Sequence, residues 1–157
     1  KILSSNQMPS LASNKKAHHD YFLSDNLEVG IKLTGPEVKS IKGGNVSLKE
    51  SFIHIDAGQL YIKNMHVGAY KPARNTDYDP IRNRKLLASK KEIEFLWGKI
   101  QKDGLTIVPL SIYTKNGLIK LEIAIGKGKK KWDKRETLKK RDQERDIRGH
   151  VNIHVNI

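Results

Sequence analysis

The pair Asn116-Gly117 stands between two runs in which apolar residues recur at every second position, and it constrains the fold more than any other feature of the chain. Both residues tolerate positive φ, so the pair favours a two-residue hairpin turn whose twist matches the flanking strands. Folding there sets Ile112 opposite Leu121, Leu110 opposite Ile123 and Val108 opposite Ile125. One face becomes wholly apolar while Lys120 and Glu122 point away. The second strand is expected to end at Ile125, with a basic arm leaving from Gly126.

Other local patterns supply companions for this hairpin. Leu27, Val29, Ile31 and Leu33 alternate with Glu28, Gly30 and Lys32, which predicts a half-buried strand. It runs into Thr34-Gly35-Pro36-Glu37, a capping box with Pro in the first helical turn, and Gly43-Gly44 ends that helix after two turns. Phe52–Ile55 and Leu60–Met65 predict a second strand pair around Asp56-Ala57-Gly58. Between Gly68 and Ile81 the pattern lapses, and a loop of that length is usually functional or mobile. Ser89-Lys90-Lys91-Glu92 is another capping box; Ile93, Leu96, Trp97 and Ile100 follow at helical spacing, with Trp97 expected in the core and Asp103-Gly104 closing the helix.

Together these elements predict a mainly β fold with flanking helices. A small closed OB-like barrel fits best, because closure removes exposed edges and leaves an outer surface for nucleic acid. A half-open sheet covered by helices is the alternative. The 157 residues divide into a flexible N-terminus (1–13), the barrel domain (14–126) and a basic C-terminal tail (127–157).

Charge points to the partner. The chain has 30 Lys+Arg against 17 Asp+Glu, a formal charge of +13. Residues 127–148 hold 11 basic and 5 acidic side chains, which leaves 19 and 12 for the rest, so body and tail are both positive. A protein of that kind lays its globular surface on a polyanion as well as its tail. In the arm, Gly126–Glu136, two glycines precede a lysine run, and Trp132 stands before Asp133-Lys134-Arg135. Lysines grip phosphates through Coulomb attraction and counterion release, and an indole stacks on a base. A merely solvated tail is the plainer reading, but it leaves the charge of the body unexplained. Asp133–Arg148 has helix formers and opposite charges three and four apart, yet few apolar residues (Leu138, Ile147), so it is expected to be disordered alone and to order on a partner.

Several functions are excluded or disfavoured. Without cysteine there is no disulfide and no thiolate zinc site. No apolar run approaches membrane-spanning length, the first residues lack the apolar core of a secretion signal, and neither a lipidation signal nor an amphipathic basic helix is clear, so a cytoplasmic protein with no membrane partner is expected. His18 and His19 invite a metal reading, but neighbours on a strand point to opposite faces and no third ligand is obvious; phosphate contact by Lys15 and Lys16 fits better. The repeated His-Val-Asn-Ile at the C-terminus, with His150 and His154, gives no stronger metal signal. A nuclease would need His19, Asp20 and Glu37, which nothing brings together, and no carboxylate cluster suits two metals. No catalytic residue, metal or cofactor is expected. Glu37 is as well explained by capping as by function.

Five blocks carry a resemblance: Asn14-Lys15-Lys16-Ala17-His18-His19-Asp20-Tyr21, Gly30–Ser40, Arg82-Asn83-Arg84-Lys85-Leu86-Leu87, Gly104–Leu110, and Gly128-Lys129-Lys130-Lys131-Trp132-Asp133-Lys134-Arg135. In order and spacing, over about residues 14 to 148, they resemble the SsrA-binding protein family (small protein B). The resemblance implies an OB-type barrel without catalytic activity that binds the tRNA-like domain of transfer-messenger RNA (tmRNA). It further implies delivery, with the elongation factor and GTP, to the vacant A site of a stalled ribosome. There the tail becomes helical in the mRNA channel and at the decoding centre, and the nascent chain is tagged for proteolysis. By position, Asn14, Lys15, Lys16, His19, Glu37, Lys39, Arg82, Arg84 and Lys85 become candidates for the RNA face. Lys129, Lys130, Trp132, Asp133, Lys134 and Arg135 become candidates for the ribosomal role. Trp132 stands where relatives commonly carry Tyr or His, Pro36 where they often carry a small or hydroxylated residue. The competing reading is a ribosomal or rRNA-binding structural protein.

Overall fold

A computed structural model describes residues 10–73, 77–101, 104–130, 132, 134 and 135. In chain order the elements are β1 (Ser10–Ser13), α1 (Ala17–Asp20), β2 (Tyr21–Ile31), α2 (Gly35–Lys42), β3 (Val46–Ser47), β4 (Phe52–Asp56), β5 (Gln59–Lys63), β6 (His66–Val67), β7 (Arg84–Leu87), α3 (Lys90–Ile100), β8 (Leu105–Lys115) and β9 (Leu118–Gly128). A short 3-10 turn, Lys71–Ala73, interrupts the loop between β6 and β7. The fold is mainly β, with a few helices.

Seven strands form one antiparallel sheet in the order β1-β8-β9-β2-β7-β5-β4, and β3 pairs with β6 as a separate ribbon. The end strands β1 and β4 do not pair with each other among the described residues. The closed barrel expected from the sequence is therefore not found: the sheet is open. It curls enough to bring β4 against β8, as accumulated strand twist does. Both end strands are short, four and five residues, which limits the ladder edge left unpaired.

The Asn116-Gly117 turn forms as expected, both residues at positive φ, and Ile112 pairs with Leu121. Beyond that the expected register is wrong by one residue. A bulge between Pro109 and Ser111 sets Pro109 opposite Ile123, Val108 opposite Ala124 and Ile107 opposite Ile125. Proline has no N–H to give a ladder, and a bulge is where a strand accommodates it. The shift divides the apolar residues between two faces. Ile107, Ile112, Leu121, Ile123 and Ile125 join the main core, while Val108, Leu110 and Ala124 form a smaller cluster with Ala17 on the other side. The one-faced ribbon thus becomes a hairpin buried on both faces over half its length.

The sheet extends beyond the bounds 14–126 at both ends. Ser10–Ser13 pairs with β8, and β9 continues to Gly128 against Tyr21–Leu23 instead of ending at Ile125. Gly126 is buried there, and an added Cβ would lie 2.6 Å from Val108 Cγ2 and 3.0 Å from Tyr21 Cδ1. Only glycine lets those side chains approach the backbone so closely.

Both capping boxes form. Thr34 Oγ1 accepts from Glu37 N at 3.3 Å while Glu37 Oε1 accepts from Thr34 N at 3.0 Å; Ser89 and Glu92 repeat the pattern on α3. Gly43 caps the end of α2. In α3, Ile93 and Leu96 are buried, but Trp97 is 48% exposed, contrary to its expected place in the core. At 100° per residue Trp97 lies roughly 65° off the line through Ile93, Leu96 and Ile100, so the stripe that meets the sheet passes it by.

Candidate RNA interface

The first turn of α2 turns Glu37 inward, and β7 turns Arg84 to meet it. Glu37 is 1% exposed and Arg84 0%. Glu37 Oε2 accepts from Arg84 Nε at 2.7 Å and Arg82 Nε at 3.1 Å, and Oε1 accepts from Arg82 Nη2. Arg84 also donates to Met65 O (2.7 Å), Arg82 O (3.2 Å), Pro80 O (3.1 Å) and the Tyr78 hydroxyl (3.0 Å), so each of its five N–H groups has a partner. The Tyr78 hydroxyl donates to Val67 O at 2.8 Å and lies 3.2 Å from Glu37 Oε2. Burial pushes the Glu37 carboxyl toward the neutral form, but hydrogen bonds from Arg82, the Thr34 amide and Arg84 overturn this and bring its pKa down to about 2. Burial raises the Tyr78 hydroxyl. The cluster ties α2, β7 and the loop between β6 and β7 into one unit.

The remaining candidates are spread over several elements. Lys15, Lys16 and Lys39 are exposed, Lys85 is half-buried on β7, and Arg82 keeps a third of its side chain in solvent. Lys39 Nζ lies 5.8 Å from the Tyr70 ring centre. A recess of about 520 Å³ between residues 12–21 and 46–51 has Lys15, Lys16 and Lys49 on its walls. Asn14 donates from its side chain to Pro109 O (2.9 Å) and from its backbone to Leu110 O (2.7 Å), so it satisfies the bulge carbonyls. His19 Nδ1 lies 2.8 Å from Asp20 Oδ1, which lowers the Asp20 pKa.

The root of the arm packs on the segment that carries His18 and Asp20. Lys129 N donates to Asp20 O at 2.8 Å, its Nζ donates to His18 O at 2.9 Å, and that ammonium sits 4.9 Å from the Phe22 ring centre. Lys134 Nζ lies 3.5 Å from Asp20 Oδ1, and Lys134 N donates to Lys130 O at 3.1 Å, a helical hydrogen bond. Trp132, Lys130 and Arg135 are exposed. Asp133 lies outside the described residues, as do Lys131, His150, His154 and the expected disordered-to-helical stretch from 136 onward.

Glu37 and Arg84, named together with surface lysines from the sequence, are therefore interior residues bonded to each other. The carboxylate of Glu37 is fully committed to its partners, which removes it from any site with His19 and Asp20. Among the described residues no three His, Cys, Asp or Glu side chains gather as a metal site, and no helix is long and apolar enough to cross a membrane. Sequence reasoning missed Tyr78, which is indistinguishable from any loop tyrosine until the fold brings it to Glu37. It also missed Phe52, His54 and Tyr61, whose signal was available: they alternate with the core residues Ile53 and Ile62.

The chain matches the family model described as SmpB protein over residues 11–152. It is 50% identical over 137 residues to the SsrA-binding protein of Persephonella marina, covering 87% of this chain and 90% of that one. The SsrA-binding protein of Caldicellulosiruptor bescii is 48% identical over 150 residues, 96% of this chain and 95% of its own. A chain from a solved structure described as "tmRNA-SmpB: a journey to the center of the bacterial ribosome" superposes with a TM-score of 0.63 at 38% identity, covering 80% of this chain and 92% of that one. A likeness spanning both the sheet and the arm leaves one conclusion: this chain belongs to the SmpB protein family.

Proposed function

We propose that this protein is a non-catalytic RNA-binding adaptor, which binds the tRNA-like domain of tmRNA and delivers it to stalled ribosomes for trans-translation. The observation that carries this reading is identity near one half, over almost the whole chain, to proteins named for binding SsrA. The arrangement of charge supports it, since folded RNA is recognised through shape, phosphates and 2′-hydroxyls, which suits cations on a rigid sheet. Lys15, Lys16, Lys39 and Lys85 meet phosphate, as do His19 and the solvent edge of Arg82. Asn14, Glu37 and Arg84 act indirectly, by holding the backbone they are bonded to. The open, curled sheet serves as an OB-like platform.

The tail enters the decoding centre and the mRNA channel, with Trp132 stacking on a base and Lys129, Lys130, Asp133, Lys134 and Arg135 against ribosomal RNA. The stretch beyond Arg135 takes its helical form on the ribosome; its sparse apolar content and alternating charges support this. The elongation factor with GTP is reached through the RNA, and the protein works in the cytoplasm. The expected result is tight, salt-sensitive binding to tmRNA and weak binding to unstructured RNA of equal length. Truncation before Trp132 leaves RNA affinity largely intact and abolishes tagging. Equal affinity for both RNAs sinks the reading in favour of a general rRNA-coating protein, which also stays on ribosomes through a high-salt wash.

A further inference from the structure

We propose that the outer face of the β4–β5–β7 corner is a stacking platform for unpaired bases of the partner RNA, built by Phe52, His54 and Tyr61 and flanked by Lys63 and Lys85. This rests on the RNA-adaptor reading and adds to it a site for bases, where the candidates above provide mainly for phosphates. In β4 and β5 the residues Ile53, Leu60 and Ile62 point into the core, so strand alternation puts Phe52, His54, Tyr61 and Lys63 on the other side. His54 stands directly across from Tyr61 in the ladder, and Phe52 across from Lys63; on the next strand Lys85 stands across from Tyr61. The His54 and Tyr61 rings lie 5.5 Å apart at 27°, and Phe52 lies 6.5 Å from His54 at 50°.

Three adjacent rings are a costly choice for the water-facing side of a strand, and Phe52 keeps 46% of its surface in solvent. A purine or pyrimidine covers such a face without needing a particular sequence, because every base has a π-face. Phe52 and Tyr61 each have a cation directly opposite in the ladder, so a base on the ring and its phosphate on the ammonium are satisfied together. β4 is an end strand of the sheet, laddered on one side to β5, with β8 packed near it through the curl, so the outward rings are what it offers to a nucleotide chain. Asp56, at the turn end of β4, repels phosphate and directs the backbone toward Lys63. Burial, with help from Lys63, lowers the His54 pKa and favours the neutral imidazole. Its buried Nδ1 has no hydrogen-bond partner among the described residues, which fits a ring retained for its face.

The test uses the full chain, transcribed tmRNA and an unstructured RNA of equal length. Phe52→Leu and Tyr61→Leu keep apolar bulk and remove the ring. Each is expected to weaken tmRNA binding roughly 5- to 150-fold while leaving the salt dependence unchanged, whereas Lys63→Ala lowers the salt slope by about one. As a second measurement, wild-type protein cross-linked to 4-thiouridine-substituted tmRNA should yield adducts within residues 52–63. Leu variants that melt like wild type and bind tmRNA equally well overturn the platform, as do cross-links confined to other segments or a loss seen only in ribosome binding. Failure of the wild-type protein to prefer tmRNA strikes the adaptor reading instead; ring-dependent affinity for both RNAs then still supports the platform.

Discussion

Removing the carboxylate of Glu37 isolates the energetic centre of the molecule. In Glu37→Ala, Arg84 keeps its carbonyl partners Met65, Arg82 and Pro80, but its buried charge loses its counter-charge and α2 loses half of its capping box. Breaking a buried pair from one side costs about 3–5 kcal/mol. The pKa of Glu37 supports the same size: a fall from 4.5 to about 2 corresponds to about 3 kcal/mol in favour of the charged, folded form. For a domain of this size that lowers Tm by roughly 10–15 °C. Urea denaturation followed by circular dichroism measures it. Because the folded pKa lies below the unfolded one, this stabilisation is whole above about pH 4.5 and drains away as pH falls toward 2. The gap between wild type and Glu37→Ala should therefore close over that window. A gap under about 1 kcal/mol at pH 7, or one of equal size at pH 7 and pH 2.5, refutes the reasoning. Replacing Glu37 and Arg84 together by Leu and Met should cost less than Glu37→Ala alone, since no charge is then left unpaired.

Two further outcomes follow from the geometry. Gly126→Ala drives a methyl into Val108 and Tyr21 and should destabilise by about 1–3 kcal/mol; adding Val108→Ala should recover part of the loss in a double-mutant cycle, and strict additivity would show that the close approach is not the cause. Lys15→Ala and Lys16→Ala should each weaken tmRNA binding and lower the slope of log affinity against log salt by about one, read from a salt titration; an unchanged slope removes them from the phosphate contacts.

Features that lie within a few residues of their own signal were legible before any fold was known. Asn116-Gly117 specified a turn, Thr34…Glu37 and Ser89…Glu92 specified helix starts, and the lysine-rich arm could have no place in a core. These depend on local φ/ψ preference, on hydrogen bonds closed within one turn, and on the cost of burying charge, none of which needs a distant partner. Which side of the surface each charged or aromatic residue occupies depends on the folded neighbours it meets. Arg84 reads as one of a basic cluster, yet it is buried because a carboxylate 47 positions earlier arrives beside it. Trp97 reads as core, yet it flanks the line where α3 meets the sheet. The bulge at Leu110 reassigns half a strand, and β9 runs on to Gly128 because Tyr21–Leu23 lies alongside to pair with it. Each of these outcomes is a contest between burial in water-free space and long-range pairing, and the winner depends on partners that local pattern does not contain.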